Sequence, residues 1–332
     1  MVNVTNTYGK IKEIILGSVD SSVIQYCNPI EQPKLEYIFS KTQEELNSIQ
    51  KTLESLDIIV HRPVFFDSSK QSITPFWERH GHKIPLTPRD HFLVVGDTIL
   101  ETASWQPESF FMSFYFRDIM RKCFENGAHW LSMPMPTYDP KLEDIIDDDI
   151  PEGDPIFDAP SIMLHNDVMF MSVKGANNKL GVRWMHRHFG DQFRIIEMDS
   201  EKFKGHLDAH INIIGDGKLM TWHPKEDLPE YLKSWDIIKV DTHYDRATSS
   251  EQVLVDNRIQ DDDFLNTVLA TNALVLDPTT ILVEEVYKDK DIKLFKELER
   301  AGIDIVFVPY TYSHFFNHGL TCATLELVRD NG

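Results

Sequence analysis

Cys322, in Gly319-Leu-Thr-Cys322-Ala-Thr, and the triplet His206-Leu-Asp208 are the residues of this chain best suited to chemistry. A thiol supplies a nucleophile once it is deprotonated, and an imidazole can move the proton. Taken singly, each has a bland reading. A lone cysteine is most often a small buried hydrophobe, and Cys27 and Cys123 keep that reading. His206 and Asp208 are two apart, so in a strand they share a face, continued by His210 and Asn212. The bland version of that face is a polar strand edge. Asp90, in Thr87-Pro-Arg-Asp90-His-Phe-Leu, and Asp158, in Phe157-Asp158-Ala-Pro-Ser, each stand at the entry to an apolar stretch. Either alone reads as a turn or cap residue.

What brings such distant residues together must be the fold, and the sequence carries a repeat. Short apolar strands flank tight polar turns at Gly96-Asp97, Asn166-Asp167, Gly215 to Gly217 and Asp277-Pro278. In the first three, Gly, Asn or Asp supplies the positive φ that hairpins need. The turns recur about every 50 to 70 residues, the period of a reused supersecondary unit. Helical spacing appears over Gln43 to Leu56, Phe110 to Phe124 and Asp291 to Gly302. Short strands are expected at Asp57–His61, Phe193–Glu197, Trp235–Val240 and Ile303–Val308, with an early copy at Ile11–Gly17. Roughly five strand–strand–helix–strand units close naturally into a ring, against an ordinary α/β sheet with hairpin insertions. A ring brings equivalent strand ends to one axis, so Asp90, Asp158, His206, Asp208 and Cys322 would share a central cavity. Three aspartates around a thiol suit a guanidinium and repel an anion.

The whole chain agrees with a small-molecule site. Its 332 residues, 42% hydrophobic and 26% charged, describe a folded protein able to bury a large core, here expected as one domain over residues 1–332. The formal charge of −20 argues against nucleic-acid binding. No apolar run of about 18 residues suggests a membrane helix, and no signal peptide is visible. Three widely spaced cysteines fit neither a disulfide framework nor a zinc knuckle, so a reducing cytoplasm is expected. The Pro-rich acidic stretch from Met133 to Pro155 reads as a surface loop, or more sharply as a flap.

Thr87-Pro-Arg-Asp90, Phe157-Asp158-Ala, Leu180-Gly-Val-Arg-Trp-Met-His-Arg-His188, His206-Leu-Asp208-Ala, Asn212-Ile-Ile-Gly215 and His318-Gly-Leu-Thr-Cys322-Ala-Thr together resemble the arginine:glycine amidinotransferase family, in order and over nearly the whole chain. The resemblance implies the guanidine-modifying fold, a five-bladed α/β propeller of repeated ββαβ units. It implies that Cys322 attacks the guanidinium of L-arginine and that His206 protonates the leaving amine. Asp158 would orient His206, while Asp90 and Asp208 hold the guanidinium. Ornithine leaves, and an acceptor amine then takes the amidino group, with neither metal nor organic cofactor. A homodimer is the assembly that the family suggests. Lys225 stands where an arginine commonly meets the donor carboxylate, Leu265-Asn266 replaces a Ser-Ser pair, and Trp105-Gln106 replaces Trp-Arg. The Pro-rich segment before Asp158 is also shorter. These departures leave the acceptor open. The alternatives are a hydrolase of the arginine deiminase or dihydrolase type and a non-catalytic binder of a cationic ligand.

Overall fold

A computed structural model describes residues 1–66, 72–73, 78–79, 83–104, 106–137, 150, 152–240, 270–289, 291–316 and 318–330. Five small sheets form in sequence, each an antiparallel pair joined through a helix to a third, parallel strand. The first contains β1 (Lys10–Leu16), helix α1 (Gln32–Ser55) and β2 (Ile59–His61). A two-stranded ribbon, β3 (Ser72–Ile73) with β4 (Glu78–Arg79), follows. The second sheet is β5 (Phe92–Val95), β6 (Thr98–Glu101) and β7 (His129–Ser132), with α2 (Met112–Glu125) between the last two. The third is β8 (Ile162–His165), β9 (Val168–Met171), α3 (Lys179–Phe189) and β10 (Arg194–Glu197). The fourth is β11 (Ile211–Gly215), β12 (Lys218–Thr221), α4 (Glu230–Lys233) and β13 (Asp236–Lys239). The fifth is β14 (Leu274–Asp277), β15 (Thr280–Glu284), α5 (Ile292–Arg300) and β16 (Asp304–Val308).

The last strand, β17 (Thr324–Asp330), returns to pair antiparallel with β1 and completes the first sheet. The C-terminal strand thus locks the first blade, and Cys322 enters the fold through that closure. Among the described residues no helix is long and apolar enough to cross a membrane.

Burial shows which way each blade faces. The leading strands β5, β8 and β11 are buried at every residue, whereas β7 and β10 at the rim are exposed or half-exposed throughout. A strand buried on both faces reads as a continuous apolar run rather than an alternating one, as Phe-Leu-Val-Val and Ile-Met-Leu do. Three apolar clusters bridge neighbouring blades: the first, second and third sheets; the third, fourth and fifth; and the fifth and first. Each side chain sunk in them contributes about 1.5–3 kcal/mol, so the ring is held by blade-to-blade packing. The hairpins use the turn residues the sequence offers, with Gly96, Asn166 and Gly217 at φ of +58°, +55° and +70°.

Two expectations about elements need correction. Helix α1 begins at Gln32, well before Gln43, because Pro33 near its N-terminus favours initiation. The second concerns His206 and Asp208, which do not lie on a strand. His206 caps a 3-10 turn, Leu207–Ala209, and the strand starts only at Ile211. Their common location therefore comes from the turn and not from alternation.

Candidate active site

The five leading strands are each preceded by a tight turn that carries a polar residue. Asp90 ends the 3-10 turn Pro88–Asp90 before β5, and Asp158 caps the turn Ala159–Ser161 before β8. His206 and Asp208 belong to the turn before β11. Asn272 ends the turn Ala270–Asn272 before β14, and Cys322 lies in the turn before β17. These turns pack against one another around the ring. A 3-10 turn lets a side chain emerge at the strand's end without belonging to either sheet face. The structure therefore brings Asp90, Asp158, His206, Asp208 and Cys322 together as the ring geometry requires.

Cys322 is 6% exposed. Its Sγ lies 3.6 Å from Asp208 Oδ2 and 3.5 Å from Asn272 Nδ2. His206 Nε2 faces Asp158 Oδ2 at 3.5 Å. Lys83 reaches Asp90 Oδ2 at 3.7 Å and donates to Gln106 Oε1 at 3.3 Å. Asp90, Asp158 and Asp208 each keep one buried carboxylate oxygen, Oδ1, with no hydrogen-bond partner among the described residues. Leaving a buried acceptor unpaired costs about 1–3 kcal/mol each, and three in one cluster mark a place for a donor-rich cation.

Electrostatics set the resting protonation. Burial, followed by the Asp208 charge, pushes the Cys322 thiol up to about 11, although hydrogen bonding to His206 pulls the other way. For His206, burial opposes the charge, but hydrogen bonds with Asp158 and Cys322 and the Asp90 field raise it well above an ordinary histidine. Burial also raises Asp208, with His206 and Arg89 opposing. Asp90 is buried too, yet Lys83, His318, His206 and His91 hold it well below the usual carboxylate range. The resting pair at neutral pH is therefore thiol and imidazolium.

Several residues the sequence reading passed over hold these groups in place. Asn177 Oδ1 accepts from the Asp158 amide at 2.9 Å, and its Nδ2 donates to Ser161 Oγ and to the Ser172 carbonyl. Asn178 caps α3 by accepting from Gly181 and accepts from Ile156 as well, tying that helix to the Asp158 segment. Gly181 allows this approach, since a Cβ there would meet the Ile156 carbonyl at 2.0 Å.

The Cys322 turn is pinned from three sides. Asn272 Oδ1 accepts from Thr321 at 2.8 Å, Glu284 Oε1 accepts from Leu320 at 2.9 Å, and Tyr310 donates to the Gly319 carbonyl at 3.0 Å. Because the Thr321 amide fixes Oδ1, the Asn272 amide must turn its N–H towards sulfur. The sequence reading did not single out Asn272, although its place closing the turn before the fourth repeat hairpin is the signal that could have found it.

Not every expected site residue reaches the centre. Lys225 sits exposed in the 3-10 turn Lys225–Asp227, and no contact of its own ties it to the cluster among the described residues. Trp105 and Leu265-Asn266 lie outside the described residues, as do positions 138–149 of the Pro-rich stretch. The ends of that stretch meet where Thr137 donates its amide to Asp154 at 2.6 Å. Among the described residues no group of three or more His, Cys, Asp or Glu is arranged to hold a metal ion.

No family model matches the chain. It is 25% identical to inosamine-phosphate amidinotransferase 1 of Streptomyces glaucescens, over 99% of this chain and 97% of that protein. It is 24% identical to the L-arginine:L-lysine amidinotransferase of Pseudomonas savastanoi pv. phaseolicola, over 96% and 92%. An amidinotransferase from the saxitoxin biosynthetic pathway of Microseira wollei superposes over 100% of this chain and 98% of its own with a TM-score of 0.81 at 24% identity, which supports the fold. Along nearly its whole length the chain is similar to curated amidinotransferases, and its five three-stranded blades share the fold of such an enzyme.

Proposed function

We propose that this enzyme moves the amidino group of L-arginine to an acceptor amine through a covalent amidino-cysteine at Cys322. The observation that carries the reading is the set of three buried carboxylates, each with a partnerless oxygen, around one buried thiol. A guanidinium offers planar, divergent N–H donors that match several carboxylate oxygens at once. In this reading Asp90 and Asp208 hold the guanidinium. Its positive charge offsets the carboxylate fields that, after burial, keep the thiol protonated, so donor binding releases the thiol proton to solvent.

The Cys322 thiolate then forms a bond to the guanidinium carbon. The bond to the ornithine nitrogen breaks, and its electron pair takes a proton from the His206 imidazolium. Asp158 orients His206 and keeps it charged until that step. In the second half the acceptor amine attacks the amidino carbon, neutral His206 takes its proton, and the carbon–sulfur bond returns its pair to sulfur. Lys225, exposed in its turn, would meet the donor carboxylate as a point charge.

The acceptor is an amine of a class the site leaves open. Relatives are named for an inosamine phosphate and for lysine, and the sequence departs from the family pattern at its recognition positions. The test is incubation with arginine, with and without candidate amines, following ornithine, citrulline and intact mass. Ornithine that depends on an added amine, with an amidino adduct on Cys322, is the expected outcome. Cys322→Ala should lower turnover roughly 10⁴-fold or more and leave no adduct. Citrulline formed without an acceptor would overturn transfer in favour of hydrolysis.

A further inference from the structure

Lys83 belongs to no motif that pointed to the site, yet its ammonium stands at the carboxylate assigned above to the donor. Its Nζ is 3.7 Å from Asp90 Oδ2 and bonded to Gln106 Oε1 at 3.3 Å. The side chain is 23% exposed against 5% for Asp90, so it reaches inward from the rim. The backbone behind it is fixed. Pro85 accepts from the Ser18 amide at 2.8 Å, Leu86 is fully buried, and Gly17 lies so close to the Leu86 carbonyl that a Cβ would meet it at 1.8 Å. Lys83 is thus a cation on a short, anchored tether, and a tethered group acts at an effective concentration of about millimolar or more.

Lys83 and an incoming cation repel one another at Asp90 and compete for its charge. Lys83 addresses Asp90 Oδ2 only, and Oδ1 stays unpartnered among the described residues. A planar guanidinium can engage both oxygens in parallel, whereas an alkylammonium is a point charge offering nothing that Lys83 lacks. Building on the transferase reading, we propose that Lys83 is a specificity-determining residue. It occupies Asp90 in the empty site, yields to a guanidinium, and keeps simple amines, the acceptor included, off the donor position. In a two-stage reaction through one site, an acceptor bound to the unloaded enzyme is unproductive, so such exclusion enforces the order of the half-reactions.

The test measures dissociation constants for guanidinium chloride and n-butylammonium chloride at constant ionic strength. The full chain carries Cys322→Ala, alone and combined with Lys83→Met, Lys83→Gln or Lys83→Arg, and thermal unfolding confirms that each variant is folded. Lys83→Met and Lys83→Gln should tighten n-butylammonium by about tenfold and guanidinium by less, narrowing the preference. Lys83→Arg, which keeps the tethered charge, should retain exclusion of n-butylammonium. In turnover with Cys322 restored, Lys83→Met should show inhibition by excess acceptor that the parent lacks. An unchanged preference in both neutral variants would overturn the role of Lys83 while arginine still leaves its adduct on Cys322. If arginine leaves no adduct on the parent enzyme, the transferase reading itself fails, and this inference with it.

Discussion

Arg89 and Asp90 are consecutive residues that enter two buried charged clusters of opposite character. Arg89 donates to Glu326 Oε2 at 2.5 Å and to the Thr321 carbonyl at 2.9 Å, and Arg329 meets Glu326 Oε1 at 2.6 Å. Arg329 also donates to the carbonyls of Gly9 and Val275. Both Glu326 oxygens are thereby paired, and burial notwithstanding, Arg89 and Arg329 hold its carboxyl down at about 2. One peptide bond away, Asp90 joins Asp158 and Asp208 in a cluster where each carboxylate retains an unpaired oxygen. A cavity of about 30 Å³ touches both groups, with Asp208, Arg89, Glu326 and Arg329 among its lining residues. The first cluster ties the closing strand β17 to its neighbours. The second leaves its bonding capacity for something that comes and goes. The first cluster pairs both oxygens of its carboxylate, whereas the second keeps one oxygen free on each of three, the pattern of a site that takes up a ligand.

Removing one member from each cluster separates the two. Glu326→Gln should lose about 3–5 kcal/mol of stability, because it strands two buried guanidinium groups, and chemical denaturation measures this directly. Asp208→Asn should do the reverse. Turnover should fall about 10²–10³-fold, while stability stays level or rises, since the substitution removes a buried charge that is not fully paired. A large stability loss in Asp208→Asn would mean that the site cluster is structural after all.

Acid tests the same contrast without mutation. Glu326 has a folded pKa below its unfolded value of 4.5, so its contribution is present above pH 4.5 and lost as pH falls towards 2. That contribution is roughly 3 kcal/mol. His91, held down at about 3 by burial and then by Lys83, acts with the same sign between pH 6.5 and 3. The midpoint of urea unfolding should therefore drop across those windows, and Glu326→Gln should flatten the lower one.

The smallest expected effect is at Asn272, whose amide N–H faces sulfur. Asn272→Ala should raise the apparent pKa of Cys322 alkylation by iodoacetamide and slow turnover about tenfold. Asn272→Asp preserves the acceptor for Thr321 but adds a negative charge, and should raise that pKa further. An unchanged alkylation profile in both variants would confine Asn272 to holding the turn.

Much of the ring was legible because its signals are local. Gly96-Asp97 and Asn166-Asp167 specify hairpins through backbone sterics, and runs such as Phe92–Val95 show a strand buried on both sides. The helical stripes gave α2 and α5 to within a few residues, and α1 with a late start. Helix α3 was not read as one, although Gly181, Met185 and Phe189 fall four apart on one buried face; a glycine at the head of that stripe weakens the helical signal. That glycine is required by the Ile156 carbonyl packed against it, which is a contact across the fold. The site residues were found by type and by resemblance, but His206 and Asp208 were placed on a strand that starts later. The features missed altogether, Lys83 on Asp90, Asn272 on sulfur and Asn177 on the Asp158 amide, join segments far apart in the chain.

By itself the sequence determined the repeating hairpins, the thiol, the imidazole and the number of acidic groups available to them, since turn chemistry and residue type act within a few positions. Tertiary structure alone decided which of those acids are paired. Arg89 and Asp90 have the same local neighbourhood, and nothing local shows that one completes a salt-bridged cluster while the other remains half unsatisfied. Pairing depends on which strand ends meet when β17 closes the ring on β1, and burial then converts that geometry into protonation state.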